Sequence, residues 1–189
     1  MGIRSFLAFE LPDKIKEIIV RISEDLRRSG LDIRYVKPDN IHLTVVFMGS
    51  ISRDYAGPIG KEVETVCKRY GSFEISLKGC GIFGGRGNPR VLWIGLDGDI
   101  QGMADLRDSL QHKLAPFGIK EETRGFKPHL TLARFRKNFR PSEKFDEFLK
   151  KHHSLSSPIC RVSELVMFRS DLNPGGAIYT KLNAWPLEG

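Results

Sequence analysis

Apolar residues recur along this chain with two periods, one typical of helices and one typical of strands. Residues 13–28 and 100–115 carry apolar side chains at i, i+3 and i+4, which predicts two amphipathic helices. Short apolar runs predict strands at 3–9, 41–47, 90–96 and 130–135. The remaining pattern predicts helices at 54–69 and 141–151, strands at 73–77, 161–169 and 177–182, a glycine-rich loop at 79–89 and a turn at 171–176.

A strand, a helix and a second strand occur twice in the same order. When the chain is aligned with itself at a displacement of 129 − 42 = 87 residues, segment 3–49 lies over segment 90–136. The alignment superposes the tetrapeptide His-Leu-Thr-Val at 42–45 on His-Leu-Thr-Leu at 129–132. The sequence therefore predicts an internal repeat of two similar halves.

Each tetrapeptide offers an imidazole and a hydroxyl to one surface. Side chains two apart on a strand share a face, so His42 projects with Thr44, and His129 projects with Thr131. Imidazole titrates near neutral pH and can act either as an acid or as a base. Two such strands side by side would place both functions across one cleft.

Composition places the chain among ordinary globular proteins. Its 189 residues are 40% hydrophobic and 28% charged, which suits one domain over 1–189 built from two packed lobes. The longest apolar runs are far shorter than a membrane span, and no signal peptide is recognisable, so we expect a cytoplasmic protein that does not bind membranes. Three cysteines without Cys-x-x-Cys spacing predict reduced thiols rather than a zinc site. A net charge of +7 favours a polyanionic partner such as RNA.

Several further residues fit a known pattern. They are Arg4-x-Phe6-x-Ala8, Lys37-Pro38-x-Asn40-x-His42-Leu43-Thr44, Gly81-x-Phe83, Pro89-Arg90-Val91-Leu92-Trp93, Phe126-Lys127-Pro128-His129-Leu130-Thr131-Leu132-Ala133-Arg134, and Ser170 with Gly176-x-x-Tyr179. With these residues the chain resembles the two-histidine phosphoesterase superfamily, and within it the RNA 2′,3′-cyclic phosphodiesterases, also called 2′-5′ RNA ligases. The resemblance runs nearly from end to end.

The resemblance implies a fold, a reaction and separate roles for the two histidines. The fold is α+β and bilobal, with two pseudo-symmetric lobes whose antiparallel sheets face a central cleft and whose helices cover the outer faces. The reaction opens a 2′,3′-cyclic phosphate at an RNA end, tRNA fragments being candidate substrates, and leaves a 2′-phosphate. Family members need no metal and no cofactor, and also perform 2′-5′ ligation. By this resemblance His42 donates a proton to O3′ and His129 accepts one from water. We expect the protein to be a monomer.

The hydroxyls and one guanidinium complete the predicted site. Thr44 and Thr131 can each donate a hydrogen bond to a phosphate oxygen as charge develops. Arg134 follows its histidine by five residues, as Phe47 does in the first half, so an ideal strand would turn both away from the cleft. A bulge or a strand end must therefore bring Arg134 round if it is to bind phosphate, whereas Phe47 could only pack or stack.

Other candidates lie farther from the repeat. Arg86 and Arg90 belong to the glycine-rich loop and its end, where they could contact RNA, although the loop lacks the Lys-Ser/Thr pair of a P-loop. Phe6 and Trp93 are assigned to the core rather than to base stacking. His112, His152 and His153 are assigned to the surface.

Two other functions remain open on the residues alone. The chain could be a phosphodiesterase for a small cyclic nucleotide, with the same acid and base but no grip on a polynucleotide. It could instead be a non-catalytic nucleotide- or RNA-binding module, although binding alone does not need two titratable imidazoles. A metallohydrolase is disfavoured because threonine is a poor ligand and no carboxylate cluster accompanies either motif.

Overall fold

The protein is an α+β structure with two antiparallel sheets and four α-helices among the described residues. The computed structural model describes residues 2–174 and 176–189. The strands are β1 Gly2–Phe9, β2 Ile33–Tyr35, β3 Leu43–Ser52, β4 Phe73–Phe83, β5 Val91–Gly98, β6 His129–Phe135, β7 Cys160–Val162, β8 Glu164–Asn173 and β9 Gly176–Pro186. The helices are α1 Asp13–Arg28, α2 Ala56–Cys67, α3 Ile100–Leu114 and α4 Glu143–His152.

Each half of the repeat supplies two neighbouring strands to a different sheet. One sheet has the order β3-β1-β8-β9 and the other has the order β2-β6-β5-β4-β7. The apolar stripes of all four helices and one face of each sheet are buried in a common hydrophobic core, while a smaller apolar cluster of Phe6, Ala8, Val166 and Phe168 lies on the other face of the first sheet. The predicted bilobal α+β fold is confirmed by this architecture.

The two halves share a strand register that the simple self-alignment misses. Thr44 pairs with Ala8 in the first sheet, and Thr131 pairs with Trp93 in the second. Ala8, rather than Phe6, is therefore the counterpart of Trp93. A displacement of 87 residues superposes the two His-x-Thr strands. β1 and β5 superpose at 93 − 8 = 85 residues instead, because the connections from these strands to their helices differ in length.

The glycine-rich segment was expected to be a loop from residue 79, but its first part continues β4 to Phe83. The glycines there allow neighbouring groups to approach the backbone closely and do not form a turn. A Cβ at Gly81 would lie 2.6 Å from the Trp93 ring, and Gly79, at a φ of +65°, lies against the carbonyl of His153. Only the remainder of the segment, from Gly84, connects β4 to β5.

Other differences from the sequence prediction concern the C-terminal strands. The predicted strand 161–169 is two strands, because the chain crosses from one sheet to the other at Ser163. β8 and β9 remain paired as far as Asn173 and Gly176, which shortens the predicted turn, and Gly175 lies outside the described residues. The three-residue strand β2 was not predicted, because so short a segment carries no measurable period. None of the helices in the described part of the chain combines the length and hydrophobicity required to cross a bilayer.

Candidate active site

Bulges at equivalent points of β3 and β6 turn side chains into the space between the sheets. The register skips Val45 between Thr44 and Val46, and it skips Leu132 in the second half. Two successive buried residues follow each threonine as a result. Phe47 and Arg134, which come next, therefore join the histidines and threonines on the open face. Of the two predicted alternatives for Arg134, a bulge or a strand end, the structure shows a bulge.

A cavity of about 510 Å³ lies between the two sheets. Its lining includes Arg4, Asn40, His42, Thr44, Phe47, His129, Thr131, Arg134, Ser170 and Tyr179. No carboxylate occurs among the described residues that line it. The arrangement combines two imidazoles, four hydroxyls and two guanidinium groups, and it favours an anion.

Both imidazoles are held by the same backbone contact. Nδ1 of His42 lies 2.8 Å from the carbonyl oxygen of Asn40, and Nδ1 of His129 lies 2.8 Å from the carbonyl oxygen of Lys127. A carbonyl can only accept, so Nδ1 carries the proton in each ring. Nε2 is then the nitrogen that each histidine offers for proton transfer.

Burial makes both histidines weak bases. Loss of solvent lowers the pKa of His42 to about 4, although its hydrogen bond to Asn40 acts in the opposite direction. The ring is stacked on Phe6 at 4.6 Å between centroids, and the edge of Tyr179 lies at 5.2 Å. Burial also lowers the pKa of His129, which meets Phe83 edge-on at 4.7 Å, and the charge of Arg134 lowers this pKa further.

The first half also contributes a cation, from a different strand. The guanidinium carbon of Arg4 lies 4.8 Å from the centroid of the Phe47 ring. Arg4 and Arg134 both act to lower the pKa of Tyr179, which burial raises, so both charges lie near this hydroxyl. The structural counterpart of Arg134 is therefore the pair of Arg4 and Phe47 rather than Phe47 alone.

Polar side chains anchor the segments whose backbone carbonyls hold the histidines. The Asn40 side-chain amide donates to the carbonyl oxygen of Ala177 on β9 at 2.8 Å. On the other side Arg107, which is 8% exposed, donates to the carbonyl oxygen of Arg124 and lies over the ring of Phe126. These contacts anchor the segments that lead into the two His-x-Thr strands.

The structure places the other predicted residues differently. Arg86 pairs with Asp146 of α4 at 2.5 Å, and neither Arg86 nor Arg90 lines the cavity. Phe6 is buried as expected, but it belongs to the smaller cluster beneath His42 rather than to the main core.

Trp93 also lies on the open face of its sheet, beside Phe83 at 5.3 Å. His152 was wrongly assigned to the surface. Its side chain is 12% exposed and lies 2.7 Å from Asp25, at the contact between α4 and α1. His112 and His153 are exposed as predicted.

Sequence reasoning did not select Arg4, Asn40 or Tyr179 as site residues, although all three belong to the motifs that carried the resemblance. Arg4 precedes Phe6 by two on β1, so strand alternation already placed it on the face of Phe6. Tyr179 comes from β9, whose position beside the site depends on pairing with β8 and is not apparent from local sequence. Within the described residues, no group of three or more His, Cys, Asp or Glu side chains is arranged to hold a metal ion.

Comparison with known proteins gives a consistent result. Two curated RNA 2′,3′-cyclic phosphodiesterases are similar over nearly their full lengths. The protein of Methanothermobacter thermautotrophicus is 32% identical, and the match covers 99% of this chain and 100% of the relative. The protein of Aquifex aeolicus is 30% identical, and the match covers 99% of this chain and 98% of the relative.

Solved structures resemble the fold over the same extent. TT0787 of Thermus thermophilus superposes with a TM-score of 0.81 at 25% identity, covering 98% of both chains. LigT of Escherichia coli in complex with 3′-AMP superposes with a TM-score of 0.74 at 25% identity, covering 100% of both. Residues 11–174 match the family model described as the 2′-5′ RNA ligase superfamily, and the chain therefore belongs to this superfamily.

Proposed function

We propose that this protein opens 2′,3′-cyclic phosphate ends of RNA to 2′-phosphates, using its two imidazoles as acid and base. The proposal rests chiefly on His42 and His129, which line one cavity and share a tautomer that offers Nε2. The curated relatives are named for this activity. A binding module would not need two proton-transfer groups, so the enzyme is preferred.

The reaction needs one proton removed and one supplied. His129 Nε2 takes a proton from water as the water oxygen forms a bond to phosphorus. The bond from phosphorus to O3′ breaks, and O3′ receives the proton from Nε2 of His42, leaving a 2′-phosphate and a free 3′-hydroxyl. Thr44 and Thr131 donate hydrogen bonds to the non-bridging oxygens, and Arg134 with Arg4 compensates the growing charge.

Because the pKa of His42 is low, its role as proton donor depends on the bound substrate. A proton donor must be protonated when the substrate is bound, whereas burial lowers the pKa of His42 to about 4. The negative charge of a bound phosphodiester favours the imidazolium and raises this pKa. If a 5′-hydroxyl of another RNA replaced water, the same two groups would form a 2′-5′ linkage.

Activity is expected to survive chelation and to yield a 2′-phosphate. The residues of the site account for both proton transfers and for the charge on phosphorus. An RNA with a cyclic phosphate end is incubated with the protein in EDTA, and the terminus is identified by mass spectrometry and phosphatase mapping. Turnover lost in EDTA and restored by a divalent ion would refute the metal-free mechanism. A 3′-phosphate product would overturn the assignment of His42.

The pH profile is expected to differ between kcat/KM and kcat. Both histidines have a lowered pKa in the free protein, so the form with one proton is most populated below pH 6.5, the ordinary value for the group. The optimum of kcat/KM should therefore lie below 6.5, with activity lost as pH rises and the acid is deprotonated. The optimum of kcat should lie higher because the bound phosphate raises both pKa values. An optimum of kcat/KM well above neutrality would contradict this description of the site.

Contacts outside the cavity should distinguish RNA from a small cyclic nucleotide. Arg90→Ala is expected to weaken the binding of longer RNAs and to reduce the slope of log K against log salt concentration by about one. The binding of a cyclic mononucleotide should not change. Arg86→Ala should have a smaller effect because Asp146 already compensates its charge. Lys68→Ala, which removes a cation paired with Glu64 on α2, is the control. If wild-type protein treats long and short substrates alike at every salt concentration, the substrate is the small cyclic nucleotide.

A further inference from the structure

The segment that leads into the His129 strand has little backbone support of its own. Residues 119–128 contain no helix and no strand. Within the part of the chain that the structure describes, they make no backbone–backbone hydrogen bond. Residues 120–125 are also exposed to solvent. The position of this segment therefore depends on side chains that reach it from neighbouring elements.

Two side chains of α3 supply the polar contacts that the segment lacks. The side-chain oxygen of Gln111 accepts a hydrogen bond from the backbone N–H of Glu122 at 2.6 Å. Nη1 of Arg107 donates to the carbonyl oxygen of Arg124 at 3.1 Å. The guanidinium carbon of Arg107 also lies 5.2 Å from the centroid of the Phe126 ring. Three points of the segment are thus held from one helix.

These contacts end next to the imidazole of His129. Phe126, the last residue held by α3, is adjacent to Lys127 in sequence. The carbonyl oxygen of Lys127 accepts the hydrogen bond from Nδ1 of His129 at 2.8 Å. A continuous series of contacts and one peptide bond therefore connects α3 with the ring that takes the proton from water.

The burial of Arg107 indicates that it has a specific role. It is 8% exposed and is the only charged side chain among the buried residues that the structure describes. Its Nη2 atom pairs with Asp108 at 2.7 Å, and Gln111, beside it, is 6% exposed. Burying a guanidinium is costly, and an apolar side chain often replaces a buried ion pair without loss of stability. The arginine is therefore better explained by the segment that it holds than by stability.

The first half of the repeat holds its histidine in another way. The residues before His42 form a short 3-10 helix, Pro38–Asn40, which closes its own backbone hydrogen bonds. The side chain of Asn40 then ties this turn to β9. The carbonyl that orients His42 thus belongs to a self-supporting turn, whereas the carbonyl that orients His129 belongs to a segment held from α3.

We propose that Arg107 and Gln111 are positioning residues for His129, on the basis of the function proposed above. By fixing residues 122–126 they keep the carbonyl of Lys127 in place to accept from Nδ1 of His129. A partner that holds Nδ1 fixes both the tautomer and the orientation of a histidine that acts as general base. Neither Arg107 nor Gln111 lines the cavity, so both act through the imidazole.

Substitution by methionine removes the polar contacts with little change in side-chain volume. ¹⁵N NMR spectra are recorded above neutral pH, where both site histidines are neutral because burial lowers their pKa values. In Gln111→Met and in Arg107→Met, the His129 ring is expected to show both neutral tautomers, while His42 keeps its wild-type signals. kcat should fall roughly 10- to 100-fold, the cost of misplacing a catalytic group by about 1 Å, with little change in KM.

Two further variants separate positioning of His129 from a general loosening of α3. Gln111→Glu retains a side-chain oxygen that can accept from the backbone of Glu122, so it should keep the wild-type tautomer and most of kcat. Lys113→Met makes the same kind of change two residues further along α3, at an exposed side chain that pairs with Glu62. This variant should match the wild type in spectra and kinetics.

Unchanged His129 signals in both methionine variants would overturn the proposal, as would equal changes at His42 and His129. A change of tautomer with wild-type kcat would also overturn it, because the contacts would then not serve the reaction. The spectra need no turnover and are therefore separable from the proposed function. A protein that shows the selective change at His129 but never opens cyclic phosphates would refute the function alone. A protein that opens them with unchanged spectra in both variants would refute the positioning role alone.

Discussion

His42→Ala and His129→Ala are each expected to lower kcat by roughly 10² to 10⁴ fold, the range for removing a positioned general acid or base. KM should change far less, because threonine hydroxyls and two guanidinium groups still bind the phosphate. Steady-state kinetics on a cyclic-phosphate oligonucleotide gives both constants. Thermal unfolding is measured alongside, because the His42 ring packs on Phe6 and its removal leaves a gap.

The double substitution distinguishes a coupled pair from two separate contributions. If the imidazoles act as one unit, losing both should cost much less than the product of the single losses. His112→Ala is the matched control, since this histidine is exposed on α3 and outside the cavity. Fully multiplicative losses would indicate that one histidine has only a structural role.

Local periodicity was sufficient for most of the elements that carry the site. α1 has the predicted bounds because its apolar residues repeat at helical spacing from Ile15 to Leu26, and Ile15, Ile19, Ile22 and Leu26 are buried as that spacing requires. The need for a bulge or a strand end at Arg134 also followed from sequence, since an ideal strand would have turned that residue away. The bulge itself is set by pairing with β5, which no single segment reveals.

Features that depend on contacts between distant segments could not be predicted from the local sequence. Gly79 and Gly81 indicated a loop, but they are strand positions where a carbonyl and an indole approach the backbone. His152 looked solvent-exposed because its partner, Asp25, lies on another helix. The Arg4 and Phe47 contact was missed for a related reason: it joins neighbouring strands with no motif of its own.

The second large effect is expected for Arg134→Ala, which should reduce kcat/KM roughly 10- to 100-fold, the loss of a hydrogen bond to a charged group. Both binding and rate should suffer, because a guanidinium near phosphorus contacts the bound substrate and interacts more strongly as charge builds. Removing this cation should also relieve the depression of the pKa of His129, to which its charge contributes. The pH profile of kcat/KM should consequently move to higher pH.

Comparison with two other variants separates the role of Arg134 from general loss of positive charge. Arg136→Ala removes a cation two residues further along the chain that pairs with Asp32 at 2.8 Å, and it should behave like the wild type. Phe47→Ala should leave kcat nearly unchanged and raise KM, since the ring supports Arg4 at the cavity and carries no proton. If Arg134→Ala matches the wild type in kcat, KM and pH profile, this side chain does not contact the phosphate, and Arg4 is then the cation that does.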